Sequence, residues 1–142
     1  MDTAFLGGVL LALLAGPLAL AACDKPTPYV TIQSGGTSVR SPAVNYVNDG
    51  TTVTNRGGPK TLTVRPGDHI NISVDRQTAK AGWVVLLGGQ KISPVLSNDT
   101  HHFAFDAPGF NGGAEASLAI FQQPPNGGPA AGSWVFTLRE DV

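Results

Sequence analysis

Apolar and polar residues alternate with a period of two along much of the chain after residue 28. In His69–Val74, Ile70 and Ile72 share a face with Val74, and Ser133–Leu138 repeats the pattern with three larger side chains. Successive side chains of a strand point to opposite faces, so this alternation predicts strands. The strands predicted in this way are Tyr29–Gln33, Ser38–Arg40, Thr51–Thr54, Thr61–Val64, His69–Val74, His102–Asp106, Ser117–Gln122 and Ser133–Leu138. Trp83–Leu87 is apolar on both faces, which favours a central strand.

Turn residues separate these segments. Arg65–Asp68 has Pro at its second position and Gly at its third, as a type II turn prefers, and Gly88-Gly89 reads as a two-residue hairpin turn before Gln90–Ile92. No window of eleven or more residues has a convincing helical period. The pattern therefore predicts an all-β domain, an antiparallel β-sandwich, with Trp83 and Trp134 in its core.

The N-terminal segment has a different composition. Ala4–Ala22 is an uncharged run of 19 residues that contains Gly16-Pro17 near its end and stops at Cys23, the one cysteine of the chain. Its length would allow a transmembrane helix, whereas small residues before a defined junction are typical of a cleaved signal. We expect an apolar signal helix here, with an uncleaved anchor and an ordinary secreted protein as the alternatives.

Leu20, Ala21 and Ala22 followed by Cys23 resemble the lipobox of bacterial lipoproteins. The resemblance implies that signal peptidase recognises these three residues and that the chain is cut before Cys23, whose thiol receives a diacylglycerol. Residues 1–22 would then be the signal peptide, residues 23–28 the lipidated cysteine with a Pro-rich spacer, and residues 29–142 the sandwich domain. The expected location is the outer face of the cell membrane, where acyl chains anchor the protein.

Two weaker resemblances concern the domain itself. Leu62–Val74, Gly82-Trp83 and Trp134–Leu138 resemble the strand pairs of immunoglobulin-like and cupredoxin-like sandwiches. The arrangement of lipobox, Pro-rich spacer and one Gly/Ala/Pro-rich sandwich is similar to small uncharacterised lipoproteins of actinobacteria. This similarity implies an envelope location and carries no known activity.

Charge and residue inventory exclude several functions. Nine basic and ten acidic residues give a net charge of −1, so no basic excess is available for nucleic acid. A blue-copper site needs a Cys thiolate and an axial Met, but Cys23 is the lipidation residue and Met1 would be lost with the signal. Three histidines, His69, His101 and His102, stand in no diagnostic catalytic or metal-binding spacing. We expect no metal, no cofactor and no enzymatic activity.

The long Gly/Pro-rich loops are the remaining candidates for binding, because binding residues concentrate on loops of rigid scaffolds. Phe110 and Asn111 form the candidate binding loop, although the Phe110 ring could instead pack back against the sandwich edge. The leading hypothesis is a monomeric, non-enzymatic interaction or accessory module of the envelope with an unidentified protein or small-molecule partner. The alternatives are a carrier for an apolar or lipid-like molecule and, less favoured, an envelope enzyme.

Overall fold

The computed structural model describes residues 27–48, 50–110, 114–126 and 131–141, with the side chain of Asn48 left aside. The predicted signal helix, Leu20, Ala21, Ala22, Cys23 and Asn111 lie outside these ranges. The strands are β1 (Tyr29–Ser34), β2 (Thr37–Pro42), β3 (Asn45–Asn48), β4 (Thr51–Thr54), β5 (Lys60–Val64), β6 (His69–Val74), β7 (Trp83–Leu87), β8 (Gln90–Lys91), β9 (His102–Asp106), β10 (Glu115–Gln122) and β11 (Gly132–Glu140). One described helix, α1 (Arg76–Ala81), lies between β6 and β7.

The strands form two sheets, which confirms the predicted all-β sandwich. Sheet A has the order β2-β1-β6-β9, and sheet B has the order β4-β3-β11-β10-β7-β8. One described pair is parallel, because β5 runs alongside β11 in the same direction. On one edge of β11, β3 pairs at Gly132 and Ser133, and β5 pairs from Phe136 onward. A gap therefore lies in this edge beside Trp134 and Val135.

The core is filled from the alternating faces that the sequence pattern predicts. In β11, Trp134, Phe136 and Leu138 are fully buried. Sheet A contributes the buried side chains of strands such as β6, in which every second residue is buried and the residues between are exposed or half-buried. Trp83 is likewise fully buried, and its Nε1 donates to Thr100 O at 2.8 Å. Both predicted core tryptophans are thus confirmed, and large side chains occupy the space between the sheets.

Helix α1 was not predicted, because six residues are too few to show a helical period. It begins at Asp75, whose carboxylate accepts the Thr78 N–H at 3.1 Å as an N-cap. It ends at Gly82, which has a φ of +99°. Only a residue without a Cβ fits there, because a Cβ would lie 2.5 Å from Gln123 O.

The sandwich has two distinct ends. Strand register places Pro28, Val74, Trp83 and Gly132 at one end, here called the Pro28 end, together with α1 and the β3–β4 hairpin. The opposite end, here called the Asp68 end, carries the β1–β2 and β5–β6 turns and the end of β9. The predicted type II turn is present there: Gly67 has a φ of +87°, and Asp68 N donates to Arg65 O at 3.0 Å.

The Pro28 end is tied together by contacts between elements far apart in sequence. Trp134 Nε1 donates to Pro28 O at 3.0 Å, which fixes the start of the described chain against β11. The Tyr46 ring lies against Trp134, with 6.5 Å between centroids. Burial raises the pKa of the Tyr46 hydroxyl above 10.0, the Asp75 carboxylate raises it further, and a hydrogen bond with Gln77 partly lowers it. The β3–β4 hairpin and α1 are therefore coupled through Tyr46.

Candidate functional site

A polar depression of about 440 Å³ opens at the Asp68 end. It lies between the β1–β2 turn, the last residues of β5 and the β5–β6 turn. Its lining residues are Ser34, Gly35, Thr37, Thr63, Val64, Arg65, Asp68, His69 and Asp141. The depression thus offers hydroxyl groups and charges of both signs, and it combines three segments that lie far apart in the sequence.

The charged groups of the polar depression are largely paired. Arg65 Nε lies 3.5 Å from the Asp141 carboxylate, and Asp68 Oδ2 accepts the Arg65 backbone N–H at 2.8 Å. His69 Nδ1 lies 3.2 Å from Asp106 Oδ1. These pairs are solvent-exposed, so they contribute little to stability. Their main effect is to fix the positions of the side chains around the opening.

The three histidines do not converge on one site. His69 lies at the Asp68 end, whereas His102 lies at the other end of the β6–β9 pair, opposite Ser73. Four residues of strand separate them, which corresponds to about 13 Å. His102 Nδ1 lies 3.0 Å from Ser73 Oγ, and its neighbour His101 lies 6.4 Å away between ring centroids. Within the described ranges, no three His, Cys, Asp or Glu side chains are grouped so that they could hold a metal ion.

A smaller depression, here called the apolar groove, lies beside the gap in the β11 edge. Its volume is about 230 Å³. Its lining residues are Ser41, Pro42, Ala43, Val44, Asn55, Gly57, Gly58, Lys60 and Val135. Because large side chains fill the space between the sheets, a small apolar ligand bound in this groove would lie beside the sheets and not between them.

The candidate binding loop is described only in part. Phe110 is half-buried and packs against the hydrophobic core, so its ring contributes to the sandwich at the Asp68 end. Of the residues that line the polar depression, His69 was a named candidate, and the only sequence signal for the others is the Arg65–Asp68 turn.

Comparisons with known proteins find only distant similarity to solved structures. No family model and no curated protein matches the sequence. Two crystal structures of an extracellular domain from B. thetaiotaomicron are similar, one described as part of a one component system and the other as part of a hybrid two component system. They have 11% and 13% sequence identity and TM-scores of 0.49 and 0.48. Each match covers 83% of this chain and 16% of the other.

Within the described ranges, no helix is long and apolar enough to cross a bilayer.

Proposed function

We propose that this protein is a non-enzymatic interaction module of the cell envelope, anchored at the outer face of the membrane by lipid on Cys23. The observation that carries the proposal is the position of Pro28. Its carbonyl is held by Trp134 at one end of the sandwich, and the polar depression opens at the other end. The anchor and the candidate binding surface are therefore on opposite ends of the domain.

The spacing supports this orientation. Pro28 follows Cys23 by five positions, and an extended chain over five residue steps spans at most about 18 Å. Strand β1 has six residues, so the two ends of the sandwich are separated by about 20 Å. A lipid on Cys23 would keep the Pro28 end near the bilayer and present the polar depression towards the outside.

The anchor is tested by the intact mass of the protein recovered from its native membrane fraction. We expect a chain that begins at Cys23 and carries added acyl mass. Cys23→Ser should abolish the added mass and the cleavage, and Ser41→Ala, which keeps Cys23, should leave both unchanged. A wild-type chain that retains residues 1–22 without lipid would contradict the proposal.

The orientation is tested separately in proteoliposomes with a bulky, membrane-impermeant maleimide. Gly36→Cys places a thiol at the Asp68 end, and Thr51→Cys places one on the β3–β4 hairpin at the Pro28 end. Both positions are exposed. We expect Gly36→Cys to react faster than Thr51→Cys in vesicles and at a similar rate in detergent. Faster reaction of Thr51→Cys in vesicles would show that the opposite end faces the solvent.

The apolar groove supports a second candidate function, the binding of a small apolar molecule. Pro42, Ala43, Val44 and Val135 give it an apolar floor, as ligand sites commonly have. This function is tested by the binding of decanol to the full-length protein in nanodiscs, and no saturable binding would exclude it.

A further inference from the structure

We propose that the apolar groove binds an anionic amphiphile, a molecule with one short acyl tail and a carboxylate or phosphate head, and that Lys60 contacts the head. This inference rests on the second candidate function above. It specifies, beyond that function, that the ligand is negatively charged and has a single short acyl tail.

The groove exists because of the way in which β11 changes partners. β3 leaves the β11 edge at Ser133, and β5 joins it at Phe136. The chain between these strands passes the gap through Gly57 and Gly58, which place no side chain over it. Asn55 Oδ1 accepts the Gly57 N–H at 3.4 Å and helps to hold this segment in place. The result is an open groove with an apolar floor.

Lys60 gives the groove its sign of charge. Its Nζ donates to Arg40 O at 2.6 Å, which fixes the ammonium group next to the backbone of Ser41, another residue that lines the groove. An ammonium group has three donors, so two remain for a ligand. Arg56 lies in sequence between the lining residues Asn55 and Gly57 and is exposed. No carboxylate is among the described residues that line the groove, so its surroundings favour an anionic head over a cationic one.

Arg40 itself has another partner. Its guanidinium lies 4.1 Å from the centroid of the Tyr29 ring, in a cation–π contact on the outer face of sheet A. The Arg40 carbonyl therefore positions Lys60, while the Arg40 guanidinium is engaged with Tyr29. Because the Arg40 side chain is not directed at the groove, we assign the head-group contact to Lys60.

The volume limits the size of the tail. About 230 Å³ is less than the roughly 300 Å³ at which drug-sized ligand sites begin, so the groove takes one short tail and no more. Burial of each methylene is expected to tighten binding about fourfold. Affinity should therefore rise with tail length and then level off once the groove is full.

The test uses the full-length protein in phosphatidylcholine nanodiscs and a decanoate that carries a diazirine near the end of its tail. After photolysis, we expect crosslinks on the peptides that contain Pro42–Val44 and Val135. Unlabelled octanoate, decanoate and dodecanoate should compete in that order of increasing affinity, and decylamine should compete more weakly than decanoate. A phosphatidylglycerol with the same photoreactive tail, incorporated in the nanodisc, distinguishes a bilayer lipid from a free fatty acid as the source of the ligand.

Two pairs of variants connect binding to the groove. Lys60→Gln should weaken competition by decanoate about fivefold and leave decanol unchanged, whereas Lys80→Gln on the exposed face of α1 should alter neither. Gly58→Leu should block all crosslinking in the groove, and Gly36→Leu should not. A Cβ at either glycine meets no heavy atom within 4 Å, so both chains should fold, which circular dichroism checks.

The outcomes separate this inference from the function on which it rests. Saturable decanol binding in the groove, with no preference for decanoate and no effect of Lys60→Gln, would overturn the anionic ligand and leave the apolar-binding function intact. Absence of saturable decanol binding, together with failure of the photoreactive decanoate and the photoreactive lipid to label the groove, would overturn both. Labelling that is unchanged by Gly58→Leu would place the ligand elsewhere and also overturn the proposal.

Discussion

Replacing Gly82 with Ala should destabilise the domain strongly. Gly82 has a φ of +99° and a ψ of 142°, a region that residues with a Cβ rarely adopt. The added Cβ would lie 2.5 Å from Gln123 O and 3.1 Å from Pro125 Cδ. Gln123 cannot move away freely, because its N–H donates to Gly82 O at 2.8 Å. The substitution therefore strains both the backbone and the junction between α1, β7 and β10.

The expected cost has two parts. Holding Ala in this backbone conformation costs about 1–3 kcal/mol. Moving the Gln123 carbonyl away weakens the neighbouring hydrogen bond from Gln123 N–H to Gly82 O, which adds about 1 kcal/mol. We expect a loss of about 3 kcal/mol in the free energy of unfolding, a large fraction of the 5–15 kcal/mol typical of a whole domain.

Urea unfolding followed by tryptophan fluorescence measures this effect directly. Trp83 is adjacent to Gly82, and both Trp83 and Trp134 are fully buried, so their emission reports exposure of the core. Gly36→Ala is the matched control, because its Cβ meets open space and its φ is not positive. That control should be neutral or stabilise by about 0.5 kcal/mol, since Ala restricts the unfolded chain. Unfolding midpoints for the two variants that agree within error would refute the reasoning.

Three further outcomes are expected from unfolding measurements. Leu118→Ala, at a fully buried position of β10, should cost about 3 kcal/mol through the cavity it leaves, and a cost below 1 kcal/mol would contradict the described packing. Asp75→Ala removes the cap on Thr78 N and should cost about 1 kcal/mol, with faster amide exchange confined to α1; uniform exchange would argue against a local role. Because the pKa of Tyr46 is raised in the folded state, the unfolded chain loses this proton first, and stability should fall as pH rises above about 10. Tyr46→Phe should reduce that fall relative to wild type. Urea midpoints measured at pH 8 and 10.5 test this, and an equal fall in both proteins would disprove it.

The sequence pattern predicts several strands to the residue. β4, β6 and β9 have the bounds predicted from period-two alternation, β7 has those predicted from an apolar run, and the Gly88-Gly89 hairpin is present with positive φ at both residues. β3 (Asn45–Asn48) was missed because polar residues lie at both of its ends. The parallel pairing of β5 with β11 could not be predicted, because the register of strands that are distant in sequence depends on tertiary packing.

The candidate binding surfaces were harder to predict than the fold. The apolar groove combines residues from Ser41–Val44, Asn55–Gly58 and Val135, and nothing in any one of these segments indicates a site. Its origin is a gap between two strands on the same edge of β11, which is a property of the assembled sheet. The polar depression likewise requires Asp141 and Arg65 to meet. His69 was a named candidate, but Asp106 becomes its partner only through the register of β6 against β9, which the sequence does not reveal.

The central position of β11 has a consequence for the order of folding. β11 pairs with β10, β3 and β5, all of which precede it in the chain, and its Trp134 anchors Pro28 across 106 residues of sequence. Chain closure over such distances slows folding. As the polypeptide emerges during synthesis, sheet B cannot be completed until residues 132–140 are available. Closure of the fold should therefore be a late event, because the β11 edge that β3 and β5 share is made last.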